Sequence, residues 1–403
     1  MAIIVQKFGG TSVGSPSRIE QVADTIIATK NQGHEVVVVV SAMAGETNRL
    51  QSLANDIDDN PSARELDMLL SSGEQVTTAL LAMALIKRGY AAISLLGHQA
   101  GIYTNNRFTK ARIKDIDCTR MLQELQQGHV VIVAGFQGVD REGNITTLGR
   151  GGSDTSAVAI AAALQAKECQ IFTDVDGVYT TDPRIDSKAT KLKHISFDEM
   201  LELASCGAKV LQSRSVEFAG QNKMPLRVLS SFESGSGTQI RYEDDIDNRN
   251  PVTAVAALRD EILVNVRVSK ESALIRNQLF NALAAADVEI DMISDFDGEN
   301  FKDLKLTMAR KDLHVTSDLL STLQSRRIID AFSIRDELTK VSIVGNGMKS
   351  HSGVAADIFN CLHDAGVDIH LISTSEIKVS VLIKQQFTDV AVKALTQKFN
   401  LNA

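Results

Sequence analysis

Two hydrophobic textures alternate along the first part of the chain. Over 3–5, 36–40 and 130–133 the apolar residues are consecutive and mostly β-branched, the pattern of strands covered on both faces, and 91–96 and 170–173 are more mixed strand patterns. Residues 36–40 are five valines in a row, which predicts a central strand. Longer stretches with helical spacing lie between these runs. Residues 16–30 predict a helix, with Ser15 as N-cap and Pro16 in the first position. Residues 63–88 predict one long helix or two shorter ones, 110–127 another, and 154–166 an alanine-rich one. This alternation, up to residue 240, implies an α/β fold: a three-layer α/β/α sandwich around a mostly parallel sheet.

The texture changes after the polar stretch 241–250 (RYEDDIDNRN) and Pro251, which reads as a linker. An internal repeat follows. FNALAAADVEIDMIS begins at Phe280 and FNCLHDAGVDIHLIS begins 79 residues later at Phe359. Leu283/Leu362, Val288/Val367, Ile290/Ile369 and Ile293/Ile372 are among the identical pairs. Each copy is preceded by a strand pattern (262–268, 340–344) and followed by another (303–308, 377–383). Each therefore reads β-α-β-β and, with a further helix and strand, makes a ferredoxin-like unit. The expected division is 1–245 for the first domain, then 255–335 and 336–403 for the two units.

Composition narrows the class. Hydrophobic residues at 44% and charged residues at 23% are ordinary for a globular protein. No apolar run approaches the roughly 18 residues that cross a bilayer, and the first residues enter a strand without the basic start of a signal peptide. A cytoplasmic protein with no membrane partner is expected. A net charge of −8 with no Lys/Arg cluster argues against nucleic acid. Cys118, Cys169, Cys206 and Cys361 are far apart and the eight histidines lack ligand spacing, so neither a disulfide framework nor a protein-built metal site is expected.

Five segments carry candidate chemistry. Lys7-Phe8-Gly9-Gly10-Thr11-Ser12 joins the first strand to the first helix; its glycines let backbone N–H groups approach phosphate oxygens, and they suit a purely structural strand-to-helix turn as well. The lysine precedes the glycines, so this is neither a P-loop nor a GxGxxG fingerprint. Ser41-Ala42-Met43-Ala44-Gly45-Glu46-Thr47-Asn48 follows the valine strand, at the end where open α/β sheets bind ligands. Ser71-Ser72-Gly73-Glu74 puts an acid beside an apolar run, where it suits an ammonium group or a solvated face equally. Gly149-Arg150-Gly151-Gly152-Ser153-Asp154 offers an arginine able to grip a carboxylate bidentately, with Asp154 also a plausible N-cap. Thr173-Asp174-Val175-Asp176-Gly177-Val178-Tyr179-Thr180-Thr181-Asp182-Pro183-Arg184 is a turn-rich loop suited to a nucleoside and its phosphates, and Gly207-Ala208-Lys209-Val210, opening a helix, adds a second lysine.

In this order and spacing the segments resemble the amino-acid kinase family and, within it, the aspartate kinases, over residues 1–240; the repeat is similar to the paired ACT domains of the same enzymes. The resemblance implies ATP-dependent phosphorylation of the β-carboxylate of L-aspartate, with ATP as co-substrate and Mg²⁺ on its phosphates. It also implies feedback by lysine and/or threonine, and a homo-oligomer, dimer or higher, assembled through the ACT units. By the same resemblance Lys7, Asp154 and Lys209 are catalytic. Ser41, Thr47, Glu74, Arg150 and Ser153 bind substrate, Glu74 at the α-ammonium and Arg150 at the α-carboxylate. Lys7, Phe8, Gly9, Gly10, Thr173, Asp174, Tyr179, Arg184 and Lys209 bind ATP. Asp291, Met292, Ile293, Met348, Ser352, Gly353, Val354, Asp368 and Ile369 bind the effector.

The chain departs from the family pattern in three places. Gln212 stands where relatives commonly have histidine. Ser269-Lys270-Glu271-Ser272-Ala273 lacks the Pro/Gly turn that usually walls the first effector site. Asp368 replaces a commoner asparagine. The first effector site is therefore expected to have lost or changed its ligand. The competing readings are a kinase of glutamate or N-acetylglutamate, a non-catalytic amino-acid sensor and a structural oligomer. Glu74 with Arg150 favours a free α-amino acid and the paired ACT units favour aspartate; Lys7, Arg150, Asp154 and Lys209 argue against a sensor, and a structural oligomer would not need five anion-suited loops.

Overall fold

The structure, a computed structural model, describes residues 1–208, 210–242, 250–269, 273–298, 301–349 and 353–402. These form two compact units. The first holds 1–178, 191–204 and 210–242; the second holds 179–190, 205–208 and 250–402.

In the first unit the chain runs β1 (Ile3–Phe8), α1 (Pro16–Asn31), β2 (Glu35–Val40), α2 (Glu46–Ile57), α3 (Ala63–Leu70), α4 (Ser72–Lys87), β3 (Ala92–Leu95), β4 (Ile102–Thr104), β5 (Ile113–Ile116), α5 (Thr119–Gln126) and β6 (Val130–Ala134). It continues through β7 (Gln137–Val139), β8 (Ile145–Thr147), α6 (Gly152–Ala163), β9 (Glu168–Thr173), β10 (His194–Ser196), α7 (Phe197–Ser205), α8 (Ser213–Gln221), β11 (Leu226–Ser230) and β12 (Thr238–Arg241). The main sheet has eight strands in the order β10-β12-β11-β9-β1-β2-β6-β3. From β11 to β3 all neighbours are parallel; β12 turns back antiparallel to β11. The valine strand is central, and Val36–Val40 are all fully buried. Ser15 caps α1 as expected, its Oγ accepting from Arg18 N at 3.3 Å. The order of connections reverses between β9 and β1, so the crevice outside their carboxyl ends is the place where such a sheet binds ligands.

Three sequence expectations fail here. The stretch 110–127 is not one helix. Ile113 and Ile116 lie in β5, which pairs with β4, and the Asp117 carboxylate takes the Thr119 N–H at 3.0 Å, ending the strand and starting α5. The helix after residue 207 opens only at Ser213, because Gly207 turns the backbone at φ +105° and Gln212 is extended. The stretch 63–87 is long and apolar enough to cross a membrane by length and composition, contrary to the reading above. It breaks at Ser71 and buries Leu81, Leu85, Thr77, Thr78 and Glu74 in the core of this unit.

The second unit contains β13 (Ala254–Ser269), α9 (Ala273–Ala285), β14 (Ile293–Asp297), β15 (Phe301–Ala309), α10 (Leu313–Ser325), β16 (Ala331–Val344), α11 (Val354–Asp364), β17 (Ile369–Thr374), β18 (Lys378–Lys384) and α12 (Thr388–Lys398). One six-stranded antiparallel sheet, β14-β15-β13-β16-β18-β17, carries both copies of the repeat. The strands read at 262–268 and 340–344 are halves of two longer ones. The first half of β13 pairs with the second half of β16, and the second half of β13 with the first half of β16. Each bends at a residue with positive φ, Asp260 (+62°) and Glu337 (+56°). Each long strand thus serves both copies. The strap 179–190 belongs to this unit: Val255 N donates to Thr180 O at 2.8 Å, and Thr396 Oγ1 donates to Asp186 at 2.9 Å.

Candidate active site

The loops after β1, β2, β6, β9 and β11 meet at the carboxyl edge of the sheet and are tied by backbone hydrogen bonds. Ser41 N donates to Phe8 O (3.1 Å), Ala44 N to Gly10 O (3.1 Å), Gly135 N to Val40 O (3.0 Å) and Ser231 N to Thr173 O (2.9 Å). Glycine is required at Gly10 by contact. A Cβ there would lie 2.9 Å from Ala42 O, closer than packing allows. Gly9 and Gly10 differ in what they offer. The Gly9 N–H is engaged by Phe172 O at 3.3 Å, whereas no acceptor takes the Gly10 N–H among the described residues. The Phe8 side chain is core, stacked on Phe172 with ring centroids 4.6 Å apart.

Lys7, at the end of β1, turns back over this loop and pairs with Asp154 from the first turn of α6, Nζ to Oδ1 2.6 Å. Both side chains are nearly buried. Asp154 is acidic in the first turn of a helix, where it is favoured by the helix dipole. Ser153 lies against Gly135, where a Cβ would come within 2.9 Å of it. Phe136, next to Gly135, is held at φ +69° by two hydrogen bonds: its N–H donates to Ser156 Oγ (3.1 Å) and its carbonyl accepts from Leu148 N (2.9 Å). A bulky residue at positive φ stores strain that its surroundings must hold.

Glu74 is the most informative group. It lies in the first turn of α4 and is 3% exposed. Its Oε1 accepts from Ala42 N at 3.0 Å, and its Oε2 is buried without a hydrogen-bond partner among the described residues. Burial pushes its pKa up to about 7, only partly offset by the backbone N–H groups it faces. A carboxylate half-satisfied in a dry place has room for one more donor. Gly73 permits this approach, since a Cβ there would sit 2.7 Å from Ala42 Cβ. Thr77 Oγ1 holds the same loop, donating to Ser41 O at 2.9 Å. Ser41 and Thr47 are half-buried, Thr47 in the first turn of α2 behind Gly45 at φ +83°. Arg150 is exposed between Gly149 (φ +77°) and Gly151 (φ +70°), and makes no ion pair among the described residues.

The structure brings Lys7, Gly9, Gly10, Ser41, Thr47, Glu74, Arg150, Ser153, Asp154, Thr173 and Asp174 to the loops of the first unit. Thr173 Oγ1 donates to Asp174 Oδ1 at 3.1 Å. Tyr179 and Arg184 lie in the strap of the second unit, where Arg184 pairs with Asp182 at 2.7 Å. Lys209 and Ser352 lie outside the described residues. Sequence reading missed Phe136, whose strain no motif announces. It also missed the place of Gln212, which packs on Gly151: a Cβ on that glycine would come within 2.5 Å of Gln212 Cγ.

Of the effector candidates, Asp291 forms an ion pair with the buried Lys340. Met292 is buried, its N–H donating to Thr307 Oγ1 at 2.9 Å, and Ile293 on edge strand β14 is exposed. Met348 packs on the core of the second copy, Val354 is buried at the start of α11 behind exposed Gly353, Asp368 is exposed and Ile369 half-buried. Glu261, at the bend of β13, is 3% exposed, and its Oε2 has no hydrogen-bond partner among the described residues; burial pushes its pKa up to about 7, with Lys340 pulling it down and Asp291 pushing it up.

A fold and site of this kind, with anion-binding loops at the carboxyl ends of a parallel sheet, agree with what known proteins resemble. The family described as "Amino acid kinase family" matches residues 2–230, and "ACT domain" matches residues 341–399. Aspartate kinase Ask_LysC of Stutzerimonas stutzeri is 51% identical over 409 residues, covering 100% of this chain and 98% of that protein. The aspartokinase of Geobacillus stearothermophilus is 48% identical over 404 residues, with the same coverage of 100% and 98%. The crystal structure of E. coli aspartokinase III in complex with aspartate and ADP superposes with a TM-score of 0.82 at 28% identity, covering 99% of this chain and 100% of that one. The same enzyme in complex with lysine and aspartate gives a TM-score of 0.80 at 28% identity, covering 98% and 99%. The chain belongs to the amino-acid kinase family, in its aspartate kinase branch.

Proposed function

We propose that this chain transfers the γ-phosphoryl group of ATP to the β-carboxylate of L-aspartate, giving an acyl phosphate and ADP, and that amino acids bound at its ACT units regulate it. Glu74 carries the substrate reading: its buried, unpartnered Oε2 suits an ammonium group, and its near-neutral pKa marks a site waiting for a cation. Arg150 is free to grip the α-carboxylate of the same molecule bidentately.

The chemistry needs no general base. An aspartate side chain titrates near 4 and is already anionic at neutral pH. One of its oxygens forms the new bond to phosphorus while the bond from the γ-phosphorus to its bridging oxygen breaks, and ADP carries away the electron pair. The obstacle is that two anions must meet in line. Cations and fixed N–H donors remove it. Lys7 supplies the positive charge at the end of β1, Asp154 fixes its direction, and the Gly10 N–H is available to a phosphate oxygen. Lys209 would add a second cation. No group of three or more metal-ligating side chains exists among the described residues, so Mg²⁺ would be held chiefly by phosphate oxygens and water, where it neutralises the nucleotide. A cytoplasmic location fits such a biosynthetic kinase.

The two outer strands of the ACT sheet, β14 and β17, expose Ile293, Phe296 and Ile372. Edge-to-edge pairing of these units in a homo-oligomer would cover them and place effector sites at the joint. An effector favouring one arrangement would shift the kinase population.

Incubation with ATP, Mg²⁺, L-aspartate and hydroxylamine tests the reaction, since hydroxylamine traps an acyl phosphate as a coloured hydroxamate. Hydroxamate from aspartate and not from glutamate is expected. Product from glutamate alone would sink the substrate assignment. Equal rates with and without saturating lysine plus threonine would remove those two as effectors.

A further inference from the structure

Asp67 lies in α3, seven residues before Glu74, and is fully buried. A lone buried carboxylate is costly, so its partners explain its presence. It has four hydrogen bonds. Oδ1 accepts from Thr109 N (3.0 Å) and from Thr147 Oγ1 (2.6 Å); Oδ2 accepts from Thr109 N (2.9 Å) and from Thr147 N (2.8 Å). Both threonines adjoin the segment that carries Arg150. Thr147 ends β8, three residues before it. Thr109 is held at φ +64°, and its carbonyl lies 3.1 Å from where a Cβ on Gly149 would stand. Ala111 N closes the loop on Thr147 O at 2.9 Å. On the other side, α3 passes through Ser71 straight into the first turn of α4, which holds Glu74, and Ser71 O accepts from Gln137 Nε2 at 2.9 Å.

One carboxylate thus ties the helix pair bearing Glu74 to the loop bearing Arg150. The ammonium and α-carboxylate of an amino acid are attached to the same carbon, so the groups that bind them must keep a fixed separation. We propose that Asp67 is a positioning residue for substrate recognition: by clamping Thr109 and Thr147 to α3, it sets the spacing between Glu74 and Arg150 that lets both hold one α-amino acid. This rests on the roles given to Glu74 and Arg150 above. Burial pushes the Asp67 carboxyl up, while the Thr147 and Thr109 donors oppose that rise by favouring the ionised form, in which such hydrogen bonds are about twice as strong as neutral ones. Asn would present an NH₂ to donors and break the pattern.

The test is the steady-state kinetics of full-length Asp67→Asn, Arg150→Ala and the double variant, each with thermal unfolding as a check of folding. Asp67→Asn is expected to raise KM for aspartate about tenfold to a hundredfold, the scale of a 1 Å misplacement, with KM for ATP unchanged within about twofold. If Asp67 acts through the Arg150 loop, the double variant is no worse than Arg150→Ala alone. Thr147→Ser, which keeps the hydroxyl, stays near the parent, while Thr147→Val shows a smaller rise in KM for aspartate and serves if Asp67→Asn fails to fold. An unchanged KM for aspartate, an equal rise in both KM values, or additive effects in the double variant would overturn the proposal. If Arg150→Ala itself leaves KM for aspartate unchanged, the substrate assignment falls first, and the positioning role falls with it.

Discussion

Lys7 Nζ and Asp154 Oδ1 lie 2.6 Å apart although 147 residues separate them, one at the end of β1 and the other in the first turn of α6. The pair fixes a flexible side chain in one direction before any nucleotide arrives. Such preorganisation is what electrostatic catalysis needs, since no reorganisation is then required as charge moves. Lys7→Ala is expected to lower kcat by roughly 10²–10³, the cost of one lost transition-state donor, with little change in KM for aspartate. Asp154→Asn leaves the cation but frees it, and should cost less, about tenfold. Steady-state kinetics decide; a Lys7 variant that changes only KM for ATP would make the lysine a ground-state anchor.

Glu74 sets a pH dependence. In the unliganded protein its pKa stands near 7 because of burial. An ammonium ligand favours the ionised form, so kcat/KM for aspartate should fall about tenfold per pH unit below that point. Glu74→Gln should lower the plateau and abolish this acid limb. A limb that persists in the Gln variant would belong to another group.

Glu261 sets a stability dependence in the second unit. Its folded pKa is raised from the model-peptide value of 4.5 to about 7, mainly by burial. The folded state therefore holds a proton that the unfolded chain loses between these values. The contribution to stability is fully present below pH 4.5 and is lost as pH rises through 7. At its largest this amounts to about 3 kcal/mol. Urea unfolding at pH 5.5 and pH 8 should show Glu261→Gln gaining on the parent at the higher pH. A constant difference across the two would mean that Lys340 keeps the carboxylate ionised throughout.

Two glycines predict coupled losses. A methyl at Gly10 would lie 2.9 Å from Ala42 O, and one at Gly73 would lie 2.7 Å from Ala42 Cβ. Both contacts press on the loop whose Ala42 N–H holds Glu74. Gly10→Ala and Gly73→Ala should each destabilise by about 1–3 kcal/mol. Gly73→Ala should in addition raise KM for aspartate more than KM for ATP, as calorimetry and kinetics together would show.

Much of this was legible in the sequence because it is local. The valine strand, the Ser15-Pro16 helix start and the glycine-bearing loops each declare themselves within a few residues. The misread stretch 110–127 has helical spacing, but Asp117 interrupts it with a side-chain hydrogen bond and β4 captures Ile113 and Ile116. Asp67 was silent because its meaning depends on Thr109 and Thr147, and nothing in a run of ordinary helix residues marks a carboxylate for partners 42 and 80 positions away. Phe136 was silent because a positive φ leaves no trace when the residue is not glycine. In the repeat, the identical pairs located both copies, but the bends at Asp260 and Glu337 hid the fact that each flanking strand continues past them into the other copy.

That sharing has a consequence for synthesis. Residues 254–258 leave the ribosome first among the tandem, yet their partners on β16, 340–344, come last among the residues that pair with β13. The first copy's own fourth strand, the opening half of β16, is likewise made only after its other three. The first copy's strands all lie within 261–337, so it can close before the second copy, whose strand 254–258 has to wait. The second copy closes late, through the long-range pairing of 254–258 with 340–344, which slows folding, and a chain ending at 335 would strand 254–258 without the neighbour they were made for.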